Sequence, residues 1–300
     1  MNAILEANHL TKIYGKEHAV NQLNFVLEEG TSTALIGPNG AGKTTTLSML
    51  AGLLNPTTGS IALNGKQRAD VRKEIGFLPQ YPQFFSWLTA LEFTEMAAKL
   101  SGMDSRSAKL EAQKTLEFVG LGEALRKKTG TFSGGMKQRL GLAQAIVHQP
   151  KLLLLDEPVS ALDPVGRREI MNLLKSLQQN MTILYSTHIL NDAEEMTDQL
   201  LFLRKGKLVE QGSIGDVRAK YDQPRYRVEF GNSEAATIFS LAAPWHVTVE
   251  GTIGIIEIAQ EMPAMSEVLK LLGDSGLDVR KAERQTASLE EIFMKVAGQE

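Results

Sequence analysis

The sequence predicts an α/β protein with a mixed or parallel sheet, followed by a small α+β domain. Three observations predict it. Short apolar runs alternate with helix-periodic stretches over residues 1–220, and that alternation implies crossover connections between parallel strands. A glycine-rich loop, Gly37 to Thr44, joins one such run to a helix. Near Tyr221 the texture changes to half-exposed strands and short helices, which sets residues 221–300 apart. The expected organisation is therefore residues 1–220 and residues 221–300, joined through Asp222-Gln223-Pro224.

The elements follow in order. The run 33–36 is a buried strand, and 43–51 is a helix stopped by Gly52 and then Asn55-Pro56. Residues 60–63 and the dipeptide Asn64-Gly65 predict a hairpin with a type I′ turn. Helices are expected over 92–100 and 108–119, separated by Ser101-Gly102. Ser133 caps a helix whose Leu140, Ala143, Gln144 and Val147 share one face, ended by Pro150. Strands are expected at 151–155, 181–186 and 199–204. Asp163-Pro164 opens a helix carrying Ile170, Leu173, Leu174 and Leu177 on one face. In the second domain, 225–230 and 246–258 alternate like strands, while 265–272 and 288–296 are helical.

Composition removes several classes of function. The chain has 300 residues, of which 43% are hydrophobic and 22% charged, so it is neither disordered nor fibrous. Lysine plus arginine number 32 against 35 acids, a net charge of -3, which disfavours nucleic acid as a partner. With no cysteine, disulfides, thiolate metal sites, iron–sulfur clusters and cysteine nucleophiles are excluded. The start of the chain lacks the basic and apolar regions of a signal peptide, and no apolar run approaches a membrane span. A cytoplasmic chain is expected, with any membrane role requiring a partner.

Gly37-Pro38-Asn39-Gly40-Ala41-Gly42-Lys43-Thr44 fits the P-loop pattern in full, in its required place between strand and helix. Glycines let the backbone curl so that successive N–H groups face one anion, and the helix end adds a positive dipole. Lys43 is placed to reach the β- and γ-phosphates, with Thr44 as a Mg²⁺ ligand. A phosphate cradle also needs a carboxylate for the metal. Leu152 to Leu155 supply an apolar strand that ends in Asp156 and Glu157. Asp156 is the candidate Mg²⁺ group, and Glu157 the candidate base or water-positioning group.

Phe132-Ser133-Gly134-Gly135-Met136-Lys137-Gln138-Arg139, shortly before that strand, resembles the signature of the ATP-binding subunits of ABC transporters. The resemblance covers about residues 4–215. The family spells the signature with Leu and Gln where this chain has Phe132 and Met136, but Ser133, Gly134 and Gly135 are kept. It implies an antiparallel β subdomain and a helical subdomain at about 81–145. It also implies roles residue by residue: Tyr14 stacks on adenine; Gln80 approaches Mg²⁺ and the attacking water; Asp163, in Ser160-Ala161-Leu162-Asp163, belongs to a loop crossing a dimer interface; His188 contacts the γ-phosphate. Thr45 joins the phosphate-binding set with Lys43 and Thr44. Asp163 is also a helix cap, and both roles can hold. His9, His18, His148 and His246 have no such context and read as structural or exposed.

The resemblance implies ATP and Mg²⁺ as cofactors. It implies a dimer with a second copy or a related ATPase subunit, in which Ser133 to Gly135 of one protomer face the ATP held by the other. It implies polytopic permease subunits as partners, and hence a place on the cytoplasmic face of the membrane. Phe84, Phe85, Trp87 and Leu88 form an apolar cluster just after Gln80 that is either buried core or an exposed docking patch. The tail over 287–298 is similar to those of exporter ATPases serving drugs, antibiotics, sodium or lipids. Alternatives are the ATPase of an importer, a soluble ABC-type ATPase acting on nucleic acid or ribosomes, and an ATP-sensing regulator. The short span between Thr44 and Ser133 leaves no room for the long coiled coil of the DNA-repair type.

Overall fold

A computed structural model describes residues 2–67, 73–160, 162–221, 224–258 and 263–298. Asp222 and Gln223 of the expected linker, and Ala161 of the expected interface loop, lie outside the described residues. The chain divides into two compact units, Met1–Ile214 and Gly215–Glu300, a division slightly ahead of the expected one after residue 220.

The first unit opens with two long strands, β1 (Ala3–Tyr14) and β2 (Glu17–Glu28), then β3 (Ser32–Ile36) and α1 (Lys43–Leu50). Next come β4 (Thr58–Leu63), β5 (Lys66–Gln67) and β6 (Ile75–Leu78). Three helices follow, α2 (Ala90–Leu100), α3 (Ser105–Phe118) and α4 (Gly134–Ile146). The remainder alternates β7 (Leu152–Asp156), α5 (Pro164–Gln178), β8 (Thr182–Thr187), α6 (Leu190–Met196), β9 (Gln199–Arg204) and β10 (Lys207–Ser213).

These strands form two sheets. One runs β2-β1-β4-β5, with all neighbours antiparallel. The other runs β10-β9-β3-β8-β7-β6 and is parallel except for the edge pair β9–β10. β3, β7 and β8 are buried at every position, the pattern expected of strands covered on both faces. Placing β3, β8 and β7 side by side brings the three loops at their carboxyl ends together, which is where open parallel sheets build their sites.

Sequence-level expectations meet the structure at the caps. α2 starts earlier than its apolar pattern, because Thr89 and Glu92 close a capping box ahead of it. Asp104 extends α3 in the same way, accepting the N–H groups of Arg106 and Ser107. The hairpin β4–β5 turns at Asn64 and Gly65, both at positive φ, as a type I′ turn requires.

The second unit is a β-α-β-β-α-β arrangement: β11 (Arg225–Phe230), α8 (Ser233–Ala242), β12 (Val247–Glu250), β13 (Ile253–Glu257), α9 (Met265–Ser275) and β14 (Val279–Gln285). It is led by α7 (Ile214–Tyr221) and closed by α10 (Leu289–Gly298). The sheet order β12-β13-β11-β14 is antiparallel throughout. The run 246–258 is thus two strands, turned at Gly251, rather than one. Its core joins Tyr226, Val228 and Phe230 to Phe239, Ile256, Val268 and Leu272. Among the described residues no helix is long and apolar enough to cross a membrane.

Candidate active site

Three features shape the loop between β3 and α1. A Cβ on Gly37 would stand 2.5 Å from the Leu203 carbonyl oxygen. Gly42 lies at φ 100, and its Cβ would stand 2.4 Å from the Ala19 carbonyl oxygen. Only glycine fits either place. The loop folds back on itself through the Ala41 N–H, which donates to the Pro38 carbonyl at 3.1 Å. The first bond inside α1 runs from the Thr46 N–H to the Gly42 carbonyl at 2.9 Å. The N–H groups of Lys43, Thr44 and Thr45 precede it and point out of the helix end, where an anion is favoured.

Lys43 is buried, and its Nζ donates to the carbonyls of Gly37 at 2.8 Å and Pro38 at 3.2 Å. The ammonium is thereby held over the loop. It also stands 3.5 Å from Glu157 Oε1.

The acids come from the end of β7. Asp156 and Glu157 are both buried, at 1% and 8% exposure. Such carboxylates need partners, and each has them. Ser186 on β8 serves both: its hydroxyl donates to Asp156 Oδ1 at 2.7 Å and accepts the Glu157 N–H at 2.9 Å. Glu157 sits at φ 46, a left-handed backbone that turns its side chain toward the loop. There, Oε2 meets His188 Nδ1 at 3.1 Å and accepts from Gln80 Nε2 at 3.3 Å. One carboxylate is thus reached by Lys43, Gln80 and His188, from the ends of three different strands or loops. Gln138 of α4 fixes the next residue by donating to the Pro158 carbonyl at 2.7 Å.

Of these groups, Lys43, Gln80 and Glu157 line a cleft of about 730 Å³, whereas Asp156, Ser186 and His188 do not. Of the expected residues it includes Asn39, Gly40, Ala41, Gly42, Lys43, Thr44, Thr45, Gln80 and Glu157. It also includes Glu17, Ala19 and Lys205, which the sequence did not single out, and His18, which it read as structural or exposed. The remaining expected residues do not line this cleft. Tyr14 is 51% exposed at the end of β1, paired with Glu17 and 5.3 Å from Lys12 Nζ at its ring centre. Ser133 caps α4 by accepting the Met136 N–H at 3.3 Å, with Gly134 and Gly135 beginning that helix. Asp163 caps α5, accepting the Gly166 N–H at 2.7 Å.

Among the described residues, no group of three or more histidines and acids is placed to hold a metal by itself. The Thr44 hydroxyl and the Asp156 carboxylate instead suit a small, hard cation that keeps water and substrate oxygens around it.

A second cleft, of about 680 Å³, is mostly apolar and includes Leu53, Phe77, Phe93, Met96, Leu100 and His148. The cluster after Gln80 divides beside it. Phe84 packs edge-on against buried Phe93 at 5.1 Å, while Phe85 and Trp87 are 46% and 67% exposed.

A family model described as ABC transporter matches residues 20–160, and one described as ATP-binding protein DrrA1-3-like, C-terminal domain, matches residues 212–297. The chain is 42% identical to the ABC transporter ATP-binding protein YxlF of Bacillus subtilis (strain 168), over 98% of this chain and 99% of that one. It is 36% identical to the bacitracin transport ATP-binding protein BcrA of Bacillus licheniformis, over 99% of this chain and 98% of that one. Among solved structures it resembles a dimeric post-hydrolysis state of the ATP-binding cassette MJ0796 bound to ADP and phosphate. The TM-score is 0.64 at 27% identity, covering 70% of this chain and 98% of that one.

Proposed function

The chain belongs to the ABC transporter family as an ATP-hydrolysing subunit, and from that premise we propose that it powers export of an antimicrobial compound through separate membrane subunits. The observation that carries the catalytic part is the convergence of Lys43, Gln80 and His188 on the Glu157 carboxylate. The direction and cargo rest on the C-terminal match and on the bacitracin relative.

The roles follow from the geometry and charge. The helix-end N–H groups and Lys43 bind the β- and γ-phosphates, with Gly37 to Gly42 curling round them and Tyr14 taking the adenine ring. Thr44, Asp156 and Gln80 hold Mg²⁺, which neutralises phosphate charge when bound. An arriving γ-phosphate competes with Glu157 for the Lys43 ammonium. Glu157 is then available to accept a proton from water attacking the γ-phosphorus, as the bond from that phosphorus to the bridging oxygen breaks and ADP leaves, while His188 donates to the γ-phosphate. Ser133, Gly134 and Gly135 supply a second helix N-terminus, directed at the nucleotide of an opposing protomer. Asp163 begins the helix beside that interface. Nucleotide bridging two protomers favours the closed pair, and hydrolysis removes the bias. The apolar cleft and the exposed Phe85 and Trp87 support docking of a permease segment, with the chain held on the cytoplasmic face of the membrane through that partner.

Glu157→Gln tests the catalytic reading. ATP should still bind while steady-state turnover falls about 10²–10³-fold. Retained turnover rejects Glu157 as the base. Cells that depend on this chain and its permease should become more sensitive to peptide antibiotics with the same variant; unchanged sensitivity rejects the cargo.

A further inference from the structure

His188 is 45% exposed in its side chain, so burial does not fix its position against Glu157. Its place depends on the chain at either end. On one side, β8 holds Thr187 in register with Ile36 of β3. On the other lies α6, which is only seven residues long, and its N-cap residue, Ile189, makes no side-chain capping bond. A helix of that length has almost no stability of its own, so contacts from outside must hold it.

The strongest of those contacts is half-buried, with the Arg167 side chain 32% exposed and its partner Asp192 enclosed. Asp192, 5% exposed, lies one turn past His188. Arg167 of α5 donates to its Oδ1 through Nε at 3.0 Å and again through a second guanidinium nitrogen. Asp192 Oδ2 is buried without a hydrogen-bond partner among the described residues, so this carboxylate relies on Arg167 for its counter-charge. The Tyr185 hydroxyl adds a long bond to the Asp192 carbonyl at 3.4 Å. Arg167 itself stands in the first turn of α5, its N–H donating to the Asp163 carbonyl at 2.9 Å. A second link between the same helices, Lys175 to Glu195 at 2.6 Å, has partners that are 40% and 55% exposed. An exposed pair of that kind contributes little.

We infer that the Arg167–Asp192 pair positions His188, fixing the histidine segment to the first turn of the helix that Asp163 caps. The inference rests on reading His188 and Glu157 as the hydrolytic pair. Neither Arg167 nor Asp192 lines the phosphate cleft; they act through the placement of His188, where small displacements are costly in rate.

The test uses the full-length chain and steady-state ATP hydrolysis. Arg167→Gln and Asp192→Asn should each lower kcat about tenfold. KM for ATP should stay within about twofold, because the phosphate loop is untouched. The charge-swapped double variant, Arg167→Asp with Asp192→Arg, should recover part of the lost kcat. Lys175→Ala should turn over like the parent. Parent-like kcat in either single variant, with only the melting temperature lowered, overturns the inference and leaves the pair structural. Should the single variants not fold, Arg167→Lys keeps the charge but loses the paired donors: a lowered kcat supports the inference and a parent-like kcat overturns it. Glu157→Gln is measured alongside. If it still hydrolyses ATP, the base assignment fails; if it is inactive while the Arg167 and Asp192 variants are not, only the positioning role fails.

Discussion

Ser186 joins both acids of the site through one hydroxyl: it donates to Asp156 at 2.7 Å and receives the backbone N–H of Glu157 at 2.9 Å. A strand-end serine thus sets the relation between the two carboxylates. Ser186→Ala leaves a buried carboxylate oxygen and a buried N–H without partners. The expected loss of stability is about 1–3 kcal/mol by denaturant unfolding, together with lower ATP turnover. Unaltered stability and turnover would show that neither acid needs this hydroxyl.

Gly42 and Gly40 both have positive φ, 100 and 80, but different surroundings. A methyl group on Gly42 collides with the Ala19 carbonyl, whereas nothing lies within 4 Å of one on Gly40. Gly42→Ala should abolish nucleotide binding by displacing the loop. Gly40→Ala should cost only the left-handed backbone term, about 1–2 kcal/mol. Titration with a fluorescent ATP analogue ranks the two, and equal affinities would reject the collision argument.

Phe93 and Trp87 separate packing from docking. Phe93 is buried against Phe84, so Phe93→Ala should destabilise the chain by about 3–5 kcal/mol. Trp87 is 67% exposed, and Trp87→Ala should change stability by less than about 0.5 kcal/mol. The same variant should weaken co-purification with the permease. Full recovery of the permease would remove Trp87 from the docking surface.

His148 lines the apolar cleft, where burial lowers its pKa from the ordinary 6.5 and the Ile75 carbonyl only partly opposes this. A depressed pKa means that the folded state binds the proton less readily than the unfolded one. The stability present above about pH 6.5 is therefore lost progressively as pH falls below that value. His148→Gln should flatten this part of the stability–pH curve, measured by thermal unfolding. An unchanged slope would assign the acid sensitivity to other groups.

Much of the site was legible because its chemistry is local in sequence. Gly37 to Thr44 and Asp156-Glu157 each occupy one loop between a strand and a helix that the patterns on either side predict, and Ser133 caps a helix as its sequence context predicts. The missed parts depend on contacts between distant segments. β1 and β2 are long strands, but His9 and Gln22 take positive φ and the pairing shifts register nearby, so no clean alternation marks them. Lys205 and His18 reach the cleft because the turn at Gly206 packs on the loop, its N–H bonded to the Ala41 carbonyl. Ser186 closes the expected strand 181–186, but its link to Asp156 is a matter of strand register between β7 and β8. The apolar run 84–88 did not say which ring turns further inward: Phe84 is half-buried and its neighbour Phe85 is exposed, though both rings meet Phe93.

Residue 157 adopts a backbone that glycine would take without penalty, at φ 46. Replacing the acid with glycine would relax that turn while removing the carboxylate. Selection for ruggedness and selection for catalysis therefore pull this one position in opposite directions. A library screened only for heat tolerance would drift toward chains that survive well and pump nothing.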